Sequence, residues 1–247
     1  MARIAYDDRD AAAFLANRHL DDDGLAAWRA AVARHLGSVS GHRPGPRLLD
    51  LGAGTGSWSR AFTAWFPGVE VVAVEPSAAM RARSVHRPVV AGDAAHLPLA
   101  AGCADAVWMS TMIHHVPDLA AAARELRRVV RPGAPVLIRS VFAGRYEGLT
   151  LVRYFPEAAA VLDTYPAVAD VEAAFATAGF RTVALEPVAQ TTAGSVREAA
   201  AALRRDAHTP LKLISDVAYA AGVRRLRAAA DTVPGPVVDT LDLLVLR

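Results

Sequence analysis

The chain predicts an α/β fold: a doubly wound, seven-stranded, mainly parallel sheet with helices on both faces and an extra helical lid. Three observations carry this. Short apolar runs and amphipathic segments alternate through residues 47–142, as in strand–helix–strand units with right-handed crossovers. The first run, RLLDLG, is a compact apolar stretch closed by glycine, as a buried parallel strand would be. A glycine-rich turn stands between that run and the first amphipathic segment.

In chain order, residues 10–36 read as two helices, because Phe14, Leu15, Leu20, Leu25, Trp28, Val32 and Leu36 recur at helical spacing. GHRPGP at 41–46 breaks them. A strand at 47–52 follows, then a helix at 57–66 up to Pro67, a strand at 69–75 and a helix at 76–83 with Pro76 in its first turn. Strands at 89–94 and 104–111 come next, then an amphipathic helix at 118–130 and a turn into a strand at 132–141. Beyond the core, 168–180 reads as a helix ending at Gly179, 181–190 as a strand and 237–247 as the last strand. Two helical segments lie between them, at roughly 195–231. Neither is long enough to bury a core of its own, so they are expected to be an insertion on one domain. The expected organisation is one domain over 1–247: N-terminal helices (1–46), core (47–142) and a C-terminal half (143–247) carrying the insertion.

Composition excludes several functions. Of 247 residues, 53% are hydrophobic, yet no stretch approaches the ~20 uninterrupted apolar residues of a membrane helix. The N-terminus MARIAYDDRD is acidic where a signal peptide is apolar, so a cytosolic protein without membrane association is expected. Cys103 is the only cysteine, which excludes an internal disulfide, a cysteine-based zinc cluster and an iron–sulfur cluster. No carboxylate-rich set has metal-ligand spacing, so no metal is expected. Lys212 is the only lysine among 27 basic residues, but the formal net charge is only +2. The basic cluster Arg124, Arg127, Arg128 and Arg131 shares its helix with Glu125 and has no aromatic residues between. It reads as a solvated helix face rather than a nucleic-acid patch.

The chemistry-bearing residues gather at strand ends. In LLDLGAGTGSW, Gly52, Gly54 and Gly56 stand between a strand and a helix. Glycines permit positive φ and close approach of a ligand, and the helix behind them points amide donors at the turn. Glu75 ends the second strand, where a carboxylate can accept both hydroxyls of a ribose. Asp93, in the turn GDA, can accept from an adenine amino group, with Ala94 offering a backbone amide. Dinucleotide sites usually want GxGxxG. This chain has GxGxG, which disfavours the rival nicotinamide-dependent oxidoreductase.

These residues carry a resemblance. DLGAGTG, VEPS, AGDA followed by LP, and RPGAPVLI resemble the signature series of class I S-adenosylmethionine-dependent methyltransferases, which are Rossmann-like. The similarity is narrowest to the ubiquinone-methyltransferase-like (type 11) branch and covers about 47–142. It implies that Asp50, Gly52, Ala53, Gly54 and Gly56 hold the methionine and ribose portions of S-adenosylmethionine and of its product S-adenosylhomocysteine. It implies Glu75 and Pro76 at the ribose, Gly92, Asp93 and Ala94 at the adenine, and Met80 either on the adenine face or in the core. Tyr6 and Arg18 resemble positions that close over the methionine carboxylate.

Methyl transfer from a sulfonium is mainly alignment, with proton removal where the nucleophile needs it. The acceptor is therefore expected at the end of the fourth strand, at Ser110, Thr111, Met112, Ile113, His114 and His115. Ser110 is assigned to the cofactor. His114 or His115 is the candidate base, only one of the two facing the cleft. The other histidines are scattered. Arg139 and Tyr154 are candidate substrate contacts for an acidic or aromatic acceptor, and 1–36 and 195–231 are candidate covers. TMIHHVPD lacks the motifs of DNA methyltransferases, so a small-molecule acceptor is expected, methylated on oxygen, nitrogen or carbon by a monomer or homodimer. A protein of the same fold that binds the cofactor without transferring methyl is the alternative.

Overall fold

The computed structural model describes Asp8, Ala11, Ala12, residues 23–36 and residues 45–247. Its seven strands are β1 (Arg47–Leu51), β2 (Glu70–Val74), β3 (Val89–Val90), β4 (Ala106–Ser110), β5 (Val136–Ser140), β6 (Thr182–Ala193) and β7 (Val237–Leu246). They form one sheet in the order β3-β2-β1-β4-β5-β7-β6. β1 to β5 run parallel, and β7 is antiparallel to both neighbours. The chain leaves β1 towards β2 on one side and later returns to β4 on the other. A crevice opens at that reversal, outside the strands' carboxyl ends.

The helices are α1 (Ala26–Leu36), α2 (Ser57–Trp65), α3 (Ala78–Ala82), α4 (Leu119–Val129), α5 (Thr150–Tyr154), α6 (Ala159–Leu162), α7 (Val168–Ala176), α8 (Val196–Ala202), α9 (Thr209–Leu213) and α10 (Asp216–Ala229). Ser77, Asp118, Ser195 and Ser215 cap α3, α4, α8 and α10 by accepting a first-turn N–H.

The two-residue strand period decides what each face presents. Leu49, Leu51, Val107, Met109, Val136 and Ile138 belong to the core packed under α4 and α7. Leu48, Trp108, Leu137 and Leu243 belong to the opposite core, with Trp28 of α1 and Trp58, Phe62 and Trp65 of α2. Arg139 follows Leu137 by two residues and is therefore carried to the rim of the second, tryptophan-rich core, where it pairs in register with Ser110.

A third core differs from expectation. Tyr154, Phe155, Ala158, Val196, Leu211, Ile214, Leu226 and Val237 form a separate cluster beneath α8 to α10. The insertion is thus three helices with a core of its own, because residues 150–162 contribute to it. They form two short helices joined through a 3-10 turn at Pro156–Ala158, too short to show periodicity. Gly222 lets α10 lie close on this segment: a Cβ there would sit 2.0 Å from Phe155 Cδ1. The β3 segment is also shorter than 89–94, since Asp93 turns back to bridge His96. Of the N-terminal helices, only the second lies substantially within the described residues.

Candidate active site

The glycine turn joins β1 to α2. Gly52, Gly54 and Gly56 have φ of 70°, 57° and 78°, values that side chains resist. At Gly52 a Cβ would also come within 2.9 Å of Met112 Cγ, so Met112, two residues past β4, seats directly on the turn. The N–H groups of Gly52 and Ala53 donate to Val74 O. Gly54 N–H donates to Glu75 Oε2 and Ser77 N–H to Glu75 Oε1, both at 2.8 Å. Glu75 is buried, and these two amides set the orientation of its carboxylate.

Asp50 follows Leu48 by two residues and so faces α2, where Ser59 Oγ–H donates to it at 2.5 Å. It is 1% exposed. Burial pushes its carboxyl up to about 7, with the Glu75 charge adding to the rise and the Ser59 hydrogen bond opposing it. Asp50 therefore stands beneath the turn, tying β1 to α2.

Asp93 Oδ1 accepts from the N–H groups of Ala95 and His96, leaving Oδ2 without a partner among the described residues. Ala94 is buried, and a Cβ on Gly92 would meet Pro98 Cδ at 2.7 Å, which keeps this turn close to the β2 end. Met80 is buried and Pro76 exposed. Tyr6 and Arg18 lie outside the described residues.

The acceptor side begins at Thr111, whose φ of 49° is the one positive value among the described residues other than glycine. Such strain recurs at functional sites. Ile113–His115 then form a 3-10 turn. The His114 ring stacks on Tyr165, centroids 4.0 Å apart and 4° between planes, and the His115 ring lies 4.0 Å from His114. Both histidines line the same cavity. The expectation that only one faces the cleft assumed strand alternation, and the 3-10 turn removes it.

That cavity, of about 600 Å³, is also lined by Thr111, Arg139, Ser140 and Tyr154. Ser110 takes no part in its lining and instead receives Arg139 Nη1–H at 3.2 Å. Leu25 reaches the cavity from just before α1, and Leu203, His208, Pro210 and Leu226 close it from the insertion. Leu25 belongs to one of the two segments expected to be covers, and the other four residues to the other. The volume suits a small organic ligand.

Sequence reasoning missed Tyr165, Trp58 and Gln190, all in the cavity wall. Trp58, directly after the glycine turn, had a local signal. Gln190 and Tyr165 had none, since only the tertiary fold brings β6 and the loop after α6 to the ends of β4 and β5. Among the described residues no cluster of His, Cys, Asp or Glu could hold a metal, and no helix is long and apolar enough to cross a membrane.

Residues 49–138 match the family model described as a methyltransferase domain. The demethylmenaquinone methyltransferase of Beutenbergia cavernae is 40% identical over 115 residues, 45% of this chain and 45% of that one. The chain spans about half the length of the curated relatives it matches. Among solved structures, a protein from an antibiotic biosynthesis pathway of Anabaena variabilis, assigned as a methyltransferase, superposes with a TM-score of 0.68 at 19% identity, over 89% of this chain and 96% of that one. The phosphoethanolamine N-methyltransferase 2 of Haemonchus contortus, solved with phosphomonomethylethanolamine and S-adenosylhomocysteine, has a TM-score of 0.54 at 20% identity over 98% of this chain and 59% of that one. The fold is the one these solved structures share, and residues 49–138 match a methyltransferase domain.

Proposed function

We propose that this chain transfers a methyl group from S-adenosylmethionine to a small-molecule acceptor held in the cavity beside the glycine turn. The observation that carries the reading is the joining of the turn to Glu75 through Gly54 N–H. It presents a preset carboxylate and positive-φ glycines at the sheet's switch point, and a nucleoside with an amino-acid tail needs that donor and acceptor set. The residues fit the cofactor. Glu75 would accept the ribose hydroxyls, Asp93 Oδ2 the adenine amino group, and the turn beside Asp50 would receive the methionine portion. Met80, Pro76 and Ser110 would border it.

When bound, the cofactor supplies a methyl group already activated on a sulfonium. The chain's own work is alignment and proton removal. His114 or His115 would take the proton of an acceptor hydroxyl or amine while its lone pair forms the new bond to the methyl carbon and the carbon–sulfur bond breaks. The stack on Tyr165 holds the His114 ring in plane, and Leu203, Pro210 and Leu226 of the insertion wall the cavity. Arg139 and Tyr154 would contact the acceptor. We read the protein as a cytosolic monomer or homodimer acting on a free metabolite rather than on nucleic acid or a membrane.

Incubation with methyl-labelled S-adenosylmethionine and a panel of phenols, amines and carboxylates tests the reading. Label should pass to an acceptor, with stoichiometric S-adenosylhomocysteine. Product binding without transfer to any acceptor would favour the alternative that the fold binds the cofactor and transfers nothing.

A further inference from the structure

Tyr154 ends α5 and is only 7% exposed, yet it lines the cavity. Its phenol oxygen makes no hydrogen bond with a described residue, whereas Ser140 Oγ–H, in the same wall, donates to Val141 O at 3.0 Å. The indole N–H groups of Trp58 and Trp108 are also unpaired among the described residues, but they are sealed from solvent. The Tyr154 hydroxyl is not sealed, so its open side is the cavity. A buried hydroxyl left in that state is a group waiting for a partner from outside the chain.

Its surroundings are apolar. Leu151, Phe155, Leu203, Leu226 and Val237 belong with Tyr154 to the third core and stand with it in the cavity wall. Of the described residues in that stretch of wall, Tyr154 is the one whose side chain can hydrogen-bond. The short helix that carries it is held at both ends. Thr150 N–H, at its start, donates to Asp239 Oδ1 of β7 at 2.7 Å. Tyr154 O, at its end, accepts from Arg225 Nε–H of α10 at 2.7 Å, and Arg225 Nη2–H reaches Glu157 Oε2 at 2.9 Å. The sheet and the insertion together therefore set where the phenol stands.

We infer that Tyr154 is a specificity-determining residue: its hydroxyl donates to an oxygen, of a carbonyl, ether or hydroxyl, carried on the apolar body of the acceptor. The inference rests on the proposed methyl-transfer reading only in calling the occupant an acceptor substrate. Selection works in both directions. An oxygen on the body gives the phenol its partner, whereas a hydrocarbon of the same shape strips water from the hydroxyl and leaves it buried and unpaired. The body around that oxygen has to be apolar, because the rest of that wall offers no hydrogen-bonding side chain.

The test is equilibrium dialysis of the full chain against 2-acetylnaphthalene and 2-ethylnaphthalene, probes of one shape that differ by the carbonyl oxygen, with S-adenosylhomocysteine measured alongside. Tyr154→Phe removes only the hydroxyl. It should lower the affinity ratio of ketone to hydrocarbon about three- to tenfold, the scale of one neutral hydrogen bond. The hydrocarbon should bind as well as before or better, and S-adenosylhomocysteine unchanged. Arg225→Met frees the end of α5 from α10 and should lower the ratio with the phenol still present; it carries the test if Tyr154→Phe lowers the melting temperature. A ratio equal to wild type in both variants, an equal loss of both probes in Tyr154→Phe, or binding of neither probe by wild type would overturn the inference. A ratio that follows the variants while S-adenosylhomocysteine fails to bind would sustain the inference and refute the cofactor reading instead.

Discussion

The proposed cofactor edge and the proposed acceptor cavity lie at the same end of one sheet, but they are made of different material. At the cofactor edge the positioning is done by main chain: three positive-φ glycines, and two amide N–H groups on one carboxylate. These groups lie within the segment from β1 to α3, closed by local connections. In the cavity the positioning is done by side chains drawn from the whole chain: Leu25, Trp58, His114, Arg139, Tyr165 and Gln190, with the insertion above them. A backbone site tolerates little change and serves one ligand. A side-chain site on long connections can be re-lined while the edge beside it is kept. That is the division of labour expected where one cofactor meets differing acceptors.

The comparison breaks most sharply at the histidines. Replacing His114 and His115 together by alanine should lower turnover about 10²- to 10⁴-fold, the range of general-base catalysis. S-adenosylhomocysteine affinity should hold, because both rings belong to the cavity. Steady-state kinetics on any acceptor found by label transfer measures this, and near-normal turnover in the double variant would shift proton removal away from this turn.

The next largest effect is in pH dependence, on the cofactor side. The Asp50 carboxyl titrates at about 7 in the fold against an ordinary 3.8. Between those values the folded chain holds the proton and the unfolded chain does not, so this group's contribution to stability falls as pH rises through that window and is level above it. The total is up to about 4 kcal/mol at ~1.36 kcal/mol per pH unit. Asp50→Asn, neutral throughout, should gain on wild type as pH rises from about 4 to 7. Urea unfolding at several pH values checks it; parallel profiles would mean that the carboxyl is not held neutral.

A smaller effect is expected from Gly222→Ala. The added Cβ meets the Phe155 ring, so α10 must shift, at about 1–3 kcal/mol for an overpacked contact. Acceptor affinity should fall while cofactor affinity stays, which calorimetry on both ligands would resolve. Loss of both together would mean that the insertion and the cofactor edge are one unit.

How far the molecule was legible beforehand follows the same divide. Strands and helices in 47–142 appear close to where alternation puts them, because both-face burial writes continuous apolar runs and the glycine turn is a local signature. Glu75 directly follows β2 and Asp93 lies in the turn after β3, so both are found by counting along the chain. The segment 150–162 left no pattern, since helices of five and four residues interrupted by Pro156 never complete the periodic window that marks a helix. Gln190 left none either: a polar residue in an edge strand reads as a solvated position until β7 and α1 are folded against it. The pair His114 and His115 was expected to put only one ring in the cleft, because strand alternation was carried into what is a 3-10 turn.

The most direct test of the central claim is calorimetric titration of S-adenosylhomocysteine and of NADH into wild-type protein and Glu75→Ala. The account predicts that wild type binds S-adenosylhomocysteine and not NADH. It predicts that Glu75→Ala weakens that binding by about 1.5–3 kcal/mol, for a hydrogen bond to a charged group. NADH binding with no response to S-adenosylhomocysteine would contradict it.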